Sequence, residues 1–266
     1  MIARHSLRFV IRSTILDVLW VFDRILYLIG MRATGVAVLM YHSVLDHSWE
    51  LSVPSDALES HLRLLRDMSY EFLTIQRFQR IIRREEPVPQ RSVLITFDDG
   101  YRDLLNVALP LLKKYNAPAL VFAHASRTSE ELGNSLPLLS WEELRHLREA
   151  GIAIGAHSFG HANLKTLSAE ELEGDFSAAN ATFLRELGER PSAFAYPGGK
   201  FDQQVVDRLR HYGYTCAFTI REGLADPSSD PYHLPRLGIV RGMSLWELRV
   251  KLTRVAGWYE ALRRIG

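Results

Sequence analysis

Residues 93–123 read VLITFDDGYRDLLNVALPLLKKYNAPALVFA, and this stretch decides the fold of the chain. It begins with a strand-like apolar run at 93–97 and continues with apolar residues at helical spacing over 104–115. It ends with a second strand-like run at 119–123. A strand, a helix and a second strand in this order are typical of a parallel sheet with helices packed outside it.

The same alternation continues on both sides of this stretch. Apolar runs of strand length lie at 36–41, 152–155, 193–196, 216–219 and 237–240, and helical patterns lie at 55–68, from 140, at 168–187 and at 203–211. Ser140 stands three residues before Glu143, which is the spacing of a capping box. Ser55 and Ser168 can accept hydrogen bonds from the free amides of a first helical turn. Because no repeat or long linker interrupts the pattern, we expect one α/β domain.

The composition excludes several classes of protein. A length of 266 residues fits a single α/β domain. The composition, with 47% hydrophobic and 24% charged residues, is that of a globular protein and excludes a disordered or fibrous chain. The 32 Lys and Arg residues against 31 Asp and Glu residues give a net charge of +1. This overall charge does not predict nucleic-acid binding, which would normally need a clearly basic domain. Cys216 is the single cysteine, which excludes an internal disulfide or a Cys-rich zinc module. A metal site must therefore use histidines and carboxylates.

Both ends of the chain have the pattern of amphipathic helices. Over residues 7–30 an apolar stripe is interrupted by Asp17, Asp23 and Arg24, and no small-residue cleavage site follows, which disfavours a signal peptide or a spanning helix. Residues 243–265 combine apolar residues with a basic set: Arg249, Lys251, Arg254, Arg263 and Arg264. Such helices can pack on the domain, on a partner or on a membrane surface. We expect a cytoplasmic protein, or a peripheral one on the cytoplasmic membrane face.

Two predicted strands end in residues that are suited to metal chemistry. Asp98 and Asp99 follow the apolar run 93–97, where two adjacent carboxylates cost stability unless a cation or hydrogen bonds compensate. His157 and His161 follow another strand, and imidazoles at this spacing can bind one metal ion. Taken alone, the two aspartates are also compatible with an Asp-rich turn. Two histidines at this spacing also occur by chance in many sequences. Together they provide a His, His, Asp set with open coordination positions, as in catalytic sites.

A third strand end carries the segment AYPGG at 195–199. One proline and two glycines after a strand allow backbone amides to approach a ligand closely, although an ordinary turn has the same composition. At this point three motifs, TFDDG, HSFGH and YPGG, stand in one order along the chain. In this order and spacing they resemble the NodB-homology polysaccharide deacetylases of carbohydrate esterase family four, over residues 36–241.

This resemblance implies a fold, a reaction and a set of site residues. The fold is a distorted (β/α) barrel, here of about seven strands at 32–242, flanked by the terminal helices at 1–31 and 243–266. The reaction is the metal-dependent removal of an acetyl group from an N-acetylated sugar. By the resemblance, Asp98 is the general base, and one divalent ion, usually zinc, is held by a set of three ligands: Asp99, His157 and His161.

The chain departs from the common family pattern around the third motif. Ala195 replaces the arginine of the family's RxPY turn, Gly198 replaces its tyrosine, and neither an Asp-Trp nor a Leu-x-His motif follows. Two residues can substitute. His42 resembles the early YH motif of the poly-N-acetylglucosamine deacetylase branch, where such a histidine is the proposed general acid. Arg236 can hold Asp98 ionised, and His124 and His233 are rival acids.

The remaining site predictions concern the substrate. We expect a backbone N–H at Gly198 to stabilise the oxyanion, and we expect Tyr101, beside Trp49, to line a sugar cleft. The predicted substrate-binding residues are Tyr101, Tyr196, Pro197 and Gly198. The leading hypothesis is a hydrolase that deacetylates an N-acetylhexosamine polysaccharide or glycolipid, with membrane contact as an additional expectation. The alternatives are a hydrolase of cyclic amides, imides or O-acetyl esters on the same metal site, and a non-catalytic glycan-binding homologue.

Overall fold

The structure is a computed structural model that describes residues 35–126 and 136–253, together with Val18 and Val21. Most of the helix predicted at 1–31, and the part of the C-terminal helix after residue 253, lie outside the described residues. Within the described part, no helix is both long enough and apolar enough to cross a membrane.

The described strands form one parallel sheet that closes on itself. In chain order they are β1 (Ala37–Tyr41), β2 (Glu71–Phe72), β3 (Ser92–Phe97), β4 (Ala119–Ala123), β5 (Ala153–Ala156), β6 (Ala193–Ala195), β7 (Cys216–Glu222) and β8 (Leu234–Gly238). Their spatial order is β1-β8-β7-β6-β5-β4-β3-β2, and β1 also pairs with β3. Seven strands therefore form a closed ring, and β2 pairs only with Ser92 and Val93 at the start of β3. The predicted barrel of about seven strands is confirmed.

Helices connect most of the strands. They are α1 (Ser55–Asp67), α2 (Ile75–Ile82), α3 (Leu109–Lys114), α4 (Trp141–Glu149), α5 (Ala169–Leu187), α6 (Gln203–His211) and α7 (Leu245–Lys251). The capping box at Ser140 is confirmed, and Ser168 caps α5 in the same way. The prediction that Ser55 caps α1 is wrong, because Pro54 occupies the capping position and Ser55 is already helical. The sequence reading also missed β2 and α2.

The helix predicted at 104–115 is interrupted in the structure. Its first part, Leu104–Ala108, is a π-helix, and regular α-helix begins only at Leu109. Pro110 lies in the first turn of α3 and has no backbone N–H. The missing donor breaks the ordinary i to i−4 ladder at this point, which accounts for the change of helix type.

The inside of the barrel is filled by aromatic side chains. The ring of Phe218 on β7 lies 5.4 Å from that of Phe122 on β4 and 5.4 Å from that of Phe78 on α2. Because β4 and β7 are not neighbours in the sheet, these rings meet across the interior. Leu39 and Tyr41 belong to a different cluster, which includes the buried face of α1. The interior is therefore a packed core, and space for a substrate is left only beyond the strand ends.

The C-terminal helix α7 packs onto the barrel. Leu248 and Val250 are buried, and the Lys251 ammonium lies 2.7 Å from a carboxylate oxygen of Glu222. Lys251 is only 2% exposed, so its expected place in a lipid-facing basic cluster is wrong. The buried ion pair instead fixes α7 to β7. Arg249 is exposed.

The contact between α1 and β1 predicts a loss of stability in acid. The His61 Nδ1 atom lies 3.1 Å from the Tyr41 hydroxyl, and burial lowers the pKa of His61 to about 4. Since its pKa in an unfolded chain is about 6.5, the unfolded state binds more protons between these two values. We expect the free energy of unfolding to fall by about 3 kcal/mol as the pH decreases from 6.5 through 4.

Denaturant unfolding at a series of pH values checks this expectation. The variant His61→Gln keeps an acceptor for Tyr41 but does not titrate, so its stability is expected to vary less over this pH range. An identical pH dependence in the variant and the parent contradicts the assignment to His61.

Candidate metal centre and active site

All strands point the same way, so their carboxyl ends meet at one end of the barrel. This brings together Asp98 after β3 and His157 after β5, although they are far apart in sequence. Tyr41 on β1 is in register with Phe97 on β3, so His42 and Asp98 are also neighbours. The three motifs of the sequence therefore converge on one site.

Asp99, His157 and His161 form a compact ligand cluster. Their candidate ligand atoms all lie within 4.8 Å of one another. The Asp99 Oδ1 atom is 3.4 Å from Nε2 of His157 and 3.3 Å from Nε2 of His161. Ligand bonds of 2.0–2.1 Å in a tetrahedral site separate neighbouring ligand atoms by roughly 3.3 Å. One carboxylate and two imidazoles at this separation fit zinc or a similar divalent ion, and these three residues would hold it.

The orientation of His157 is fixed from behind. Its Nδ1 lies 2.7 Å from the carbonyl oxygen of Ala195, and a carbonyl only accepts hydrogen bonds. Nδ1 is therefore the protonated nitrogen, and Nε2 is left as the ligand atom that faces Asp99. Such a partner behind a ligating histidine sets its tautomer and increases its basicity.

The backbone at this site is strained. Asp99, Ser158 and His161 have positive φ angles of 67°, 65° and 65°, a conformation that residues with a Cβ rarely adopt. The strained His161 is held by a hydrogen bond from its backbone N–H to the Ser158 hydroxyl, at 2.9 Å. Each such residue costs about 1–3 kcal/mol and persists only where the surrounding structure enforces it. The strain thus coincides with two of the three ligands.

Asp98 is separate from this cluster and forms a buried ion pair. Its two carboxylate oxygens each accept a hydrogen bond from the Arg236 guanidinium, both at 2.7 Å. Arg236 is 0% exposed and also donates to the carbonyl of Thr219 and the hydroxyl of Thr96. The structure therefore places Arg236 in a bidentate ion pair with Asp98, as expected for a residue that holds this carboxylate in place.

The charges around Asp98 and Asp99 decide their ionisation. Burial alone would raise the pKa of Asp98, but the charge and hydrogen bonds of Arg236 outweigh it and lower the pKa. For Asp99, burial also acts to raise the pKa, and the two imidazoles lower it well below the usual range. Both carboxylates are therefore anionic at neutral pH. Asp98 can accept a proton while Asp99 serves as a ligand.

His42 lies beside the two carboxylates and carries an unused nitrogen. Its Nδ1 atom is buried and has no hydrogen-bond partner among the described residues. Its ring packs edge-on against Trp49, with centroids 5.9 Å apart. Burial lowers the pKa of His42, while the charges of Asp99 and Asp98 act to raise it.

Comparison with known proteins decides the family. The family model for polysaccharide deacetylases matches residues 85–217, half of the chain. The chain belongs to the polysaccharide deacetylase family. It is 27% identical over 198 residues to the poly-beta-1,6-N-acetyl-D-glucosamine N-deacetylase of Staphylococcus aureus, covering 70% of this chain and 67% of that protein.

Two solved structures share the fold over most of this chain. The Streptococcus pyogenes deacetylase PplD, in complex with acetate, superimposes with a TM-score of 0.74 at 25% identity, covering 82% of this chain and 98% of PplD. IcaB from Ammonifex degensii gives a TM-score of 0.72 at 25% identity, covering 86% of this chain and 98% of IcaB. The fold and the family predicted from the motifs are confirmed.

The YPGG turn of this deacetylase differs from the expectation at Tyr196. The Tyr196 side chain is 0% exposed, stacks on Phe201 and donates its hydroxyl to the carbonyl of Tyr232. Its expected direct contact with substrate is therefore wrong, because the ring supports the turn from behind. Pro197 is buried as well, whereas Gly198 is exposed with a φ angle of 56°. Gly198 remains the predicted oxyanion donor.

Tyr101 is also placed differently from the expectation. It is 1% exposed, and its ring meets that of Trp49 at 5.5 Å. Trp49, in contrast, is partly exposed and touches both Tyr101 and His42. The Tyr101 side chain therefore lies too deep to line a sugar cleft, whereas Trp49 keeps exposed surface beside His42.

The two rival acids have other partners. The Nδ1 atom of His124 lies 3.1 Å from the Ser126 hydroxyl, and its ring is 6.3 Å from that of His161. His233 contacts the Asp230 carboxylate at 2.9 Å and the ring of Phe201. His42 stays the predicted general acid because it lies next to Asp98 at the end of the neighbouring strand.

The sequence reading missed two carboxylates that hold loops at the site. Asp103 accepts hydrogen bonds from the Ser43 hydroxyl at 2.9 Å and from the Val44 amide at 2.7 Å, directly after His42. Asp175 accepts from the amide of Phe159, between the two histidine ligands. Asp103 follows closely after the end of β3, and this position is a signal in the sequence that it lies near the site. No spacing in the sequence connects Asp175 to the site.

Proposed function

We propose that this polysaccharide deacetylase is a metal-dependent hydrolase that removes acetyl groups from N-acetylhexosamine units of a polysaccharide or glycolipid. The observation that carries the proposal is the division of labour between the adjacent Asp98 and Asp99. Asp99 faces two imidazoles at ligand spacing, while Asp98 is clamped as an anion by Arg236. A ligand and a base side by side are what amide hydrolysis at neutral pH requires.

The residues of the site account for each proton in the reaction. A divalent ion such as zinc, held by Asp99, His157 and His161, would polarise the amide carbonyl and lower the pKa of a water molecule. Asp98 takes the proton of the water that attacks the carbonyl carbon. The Gly198 amide hydrogen-bonds to the oxygen that becomes negative. His42 then protonates the nitrogen as the carbon–nitrogen bond breaks, which releases acetate and a free amino sugar.

Similarity to named deacetylases supports the choice of substrate. The Staphylococcus aureus relative acts on poly-β-1,6-N-acetylglucosamine by its name, and PplD holds acetate, the second product of a deacetylation. The changes in the YPGG turn are compatible with activity, because Arg236 holds the base without an arginine at position 195. This arrangement favours an enzyme over a glycan-binding homologue without turnover.

Acetate release by the purified chain tests the proposal. The substrates are poly-β-1,6-N-acetylglucosamine oligomers, chitooligosaccharides and a lipid-linked N-acetyl sugar, each with and without added Zn²⁺. We expect acetate from at least one of them, and loss of activity after chelation. Hydrolysis of only O-acetyl esters, cyclic amides or imides points to the alternative hydrolases. Binding of a glycan without turnover of any substrate supports the non-catalytic reading.

The assignment of His42 predicts a characteristic pH profile. A protonated imidazole is needed at bond cleavage, and Asp98 must be ionised, so rate against pH is expected to be bell-shaped. Since burial lowers the pKa of His42, the alkaline limb reflects a group that deprotonates early. We expect His42→Ala to lose this limb and most of its turnover while its metal content is unchanged. A fully active His42→Ala moves the role to His124 or His233.

We also propose that the protein associates with the cytoplasmic face of a membrane. The support is the amphipathic pattern at both ends of the chain and the exposed Arg249. Each basic residue near an anionic leaflet contributes about 1 kcal/mol. Co-sedimentation of the full chain with anionic and neutral vesicles tests this. We expect binding to anionic vesicles that weakens in Arg249→Glu, and absence of sedimentation at low salt contradicts it.

A further inference from the structure

Asp175 is a partly buried carboxylate that the proposed reaction does not use. It lies on α5, the 19-residue helix that begins at Ala169 and packs its apolar face, including Phe176 and Phe183, onto the barrel. Most acidic residues of a surface helix point to solvent, but Asp175 points to the loop between β5 and α5. This is the loop HSFGH, which contains His157 and His161.

The contacts of Asp175 fall between the two histidines. Its Oδ1 and Oδ2 atoms lie 3.0 and 3.2 Å from the backbone nitrogen of Phe159. Both oxygens of the carboxylate therefore accept the same loop amide, and a side chain from another element holds the loop between its two histidines.

The loop needs such support because its backbone is strained. Ser158 and His161 both have φ angles of 65°, on either side of the Phe159 amide that Asp175 accepts. The opposite side of the loop is tied to the end of β4, where the amides of Ala125 and Ser126 donate to the carbonyls of Ser158 and Phe159, at 3.1 and 2.7 Å. The loop is thus held between β4 and α5, and Asp175 supplies the charged half of this clamp.

Hydrogen bonds from amides to a carboxylate are stronger than those between neutral groups. Burial raises the pKa of Asp175 to about 6, and the Phe159 amide opposes this rise. The carboxylate is therefore mostly anionic at and above neutral pH. An ionised carboxylate offers two acceptor oxygens to the Phe159 amide, whereas an asparagine offers one acceptor oxygen and a competing N–H₂ group.

We propose that Asp175 is a positioning residue for the metal centre: by accepting the amide of Phe159, it holds the loop in the conformation that brings His157 and His161 onto one ion. The inference rests on the metal site of the proposed function. Asp175 does not touch the reacting atoms, so its effect is on the affinity of the site for metal. Partners behind metal ligands typically change affinity or activity by 10–100-fold.

The test compares Asp175→Asn with a matched control on the same helix. Glu173→Gln removes a carboxylate two residues earlier, whose partners are Tyr212 and Arg208 rather than the loop. The affinity of the full chain for Zn²⁺ is measured by competition with a chromophoric chelator, together with the melting temperature of the metal-free protein. We expect Asp175→Asn to bind Zn²⁺ about 10–100-fold more weakly, and Glu173→Gln to bind it like the parent.

A second variant keeps the test valid if Asp175→Asn does not fold. Asp175→Glu retains the charge but displaces the oxygens by one methylene, so we expect a folded protein with weakened Zn²⁺ affinity. Parental affinity in a folded variant, Asp175→Asn or Asp175→Glu, overturns the inference and leaves the proposed function standing. A parent chain that binds no Zn²⁺ overturns the proposed metal site itself, so the two failures are distinguishable.

Discussion

Replacing Asp98 with asparagine is expected to lower turnover by about 10²–10⁴-fold while the protein still binds its metal. General acid–base catalysis contributes this much, and an amide cannot accept the proton of the attacking water. The proposed metal ligands Asp99, His157 and His161 are untouched by the change. Acetate release and metal content, measured on the same preparation of Asp98→Asn, check both halves of the expectation.

The buried Arg236 makes a stability control necessary for this variant. Removing one partner of a buried ion pair can cost 3–5 kcal/mol, because the other charge is left uncompensated. Asp98→Asn is therefore expected to melt at a lower temperature, and its activity must be assayed well below that temperature. A folded Asp98→Asn with parental turnover contradicts the role of Asp98 as base, and a loss of metal along with activity contradicts its separation from the ligand cluster.

Replacing both His157 and His161 with alanine is expected to abolish metal binding and activity together. Each substitution removes one inner ligand bond, and Asp99 alone does not hold a divalent ion against a chelator. His146→Ala is the matched control, because His146 is exposed on α4 and lies outside the cluster. Metal analysis after dialysis measures the effect. Stoichiometric metal in the double variant, or loss of metal from His146→Ala, places the ion elsewhere.

The fold was largely predictable because its signals are local. The strand, helix and strand of residues 93–123 reappear as β3, α3 and β4, and the capping boxes at Ser140 and Ser168 mark the helix starts. Where a choice depended on a neighbour, the prediction failed. Serine is a common capping residue, but Ser55 follows Pro54, which already occupies the capping position.

The site was predictable to the extent that its residues stand in motifs. Asp98, Asp99, His157 and His161 converge because parallel strands end at one side of the barrel. Tertiary contacts decided the rest. Tyr196 and Tyr101 follow strand ends, as substrate contacts often do, but each ring is covered by another aromatic residue. Sequence spacing does not show which aromatic ring of such a pair is exposed and which is covered.

Long-range polar contacts were the hardest to foresee. Lys251 fits the basic face of an amphipathic helix, yet it is buried against Glu222 on β7. Asp175 is a charged residue on a surface helix and would be expected to face solvent, yet it accepts the Phe159 amide of the HSFGH loop. In each case a charge acquired its role from a partner on another element, and only the folded chain brings the two together.

We propose that one divalent ion at Asp99, His157 and His161 enables this chain to deacetylate an N-acetylhexosamine polymer. The most direct test is acetate release from poly-β-1,6-N-acetylglucosamine oligomers by the purified full chain, titrated with Zn²⁺ after complete chelation. We expect no release of acetate from the chelated protein, and a rise in release that saturates at one ion per chain. Undiminished release from the metal-free protein would contradict this proposal.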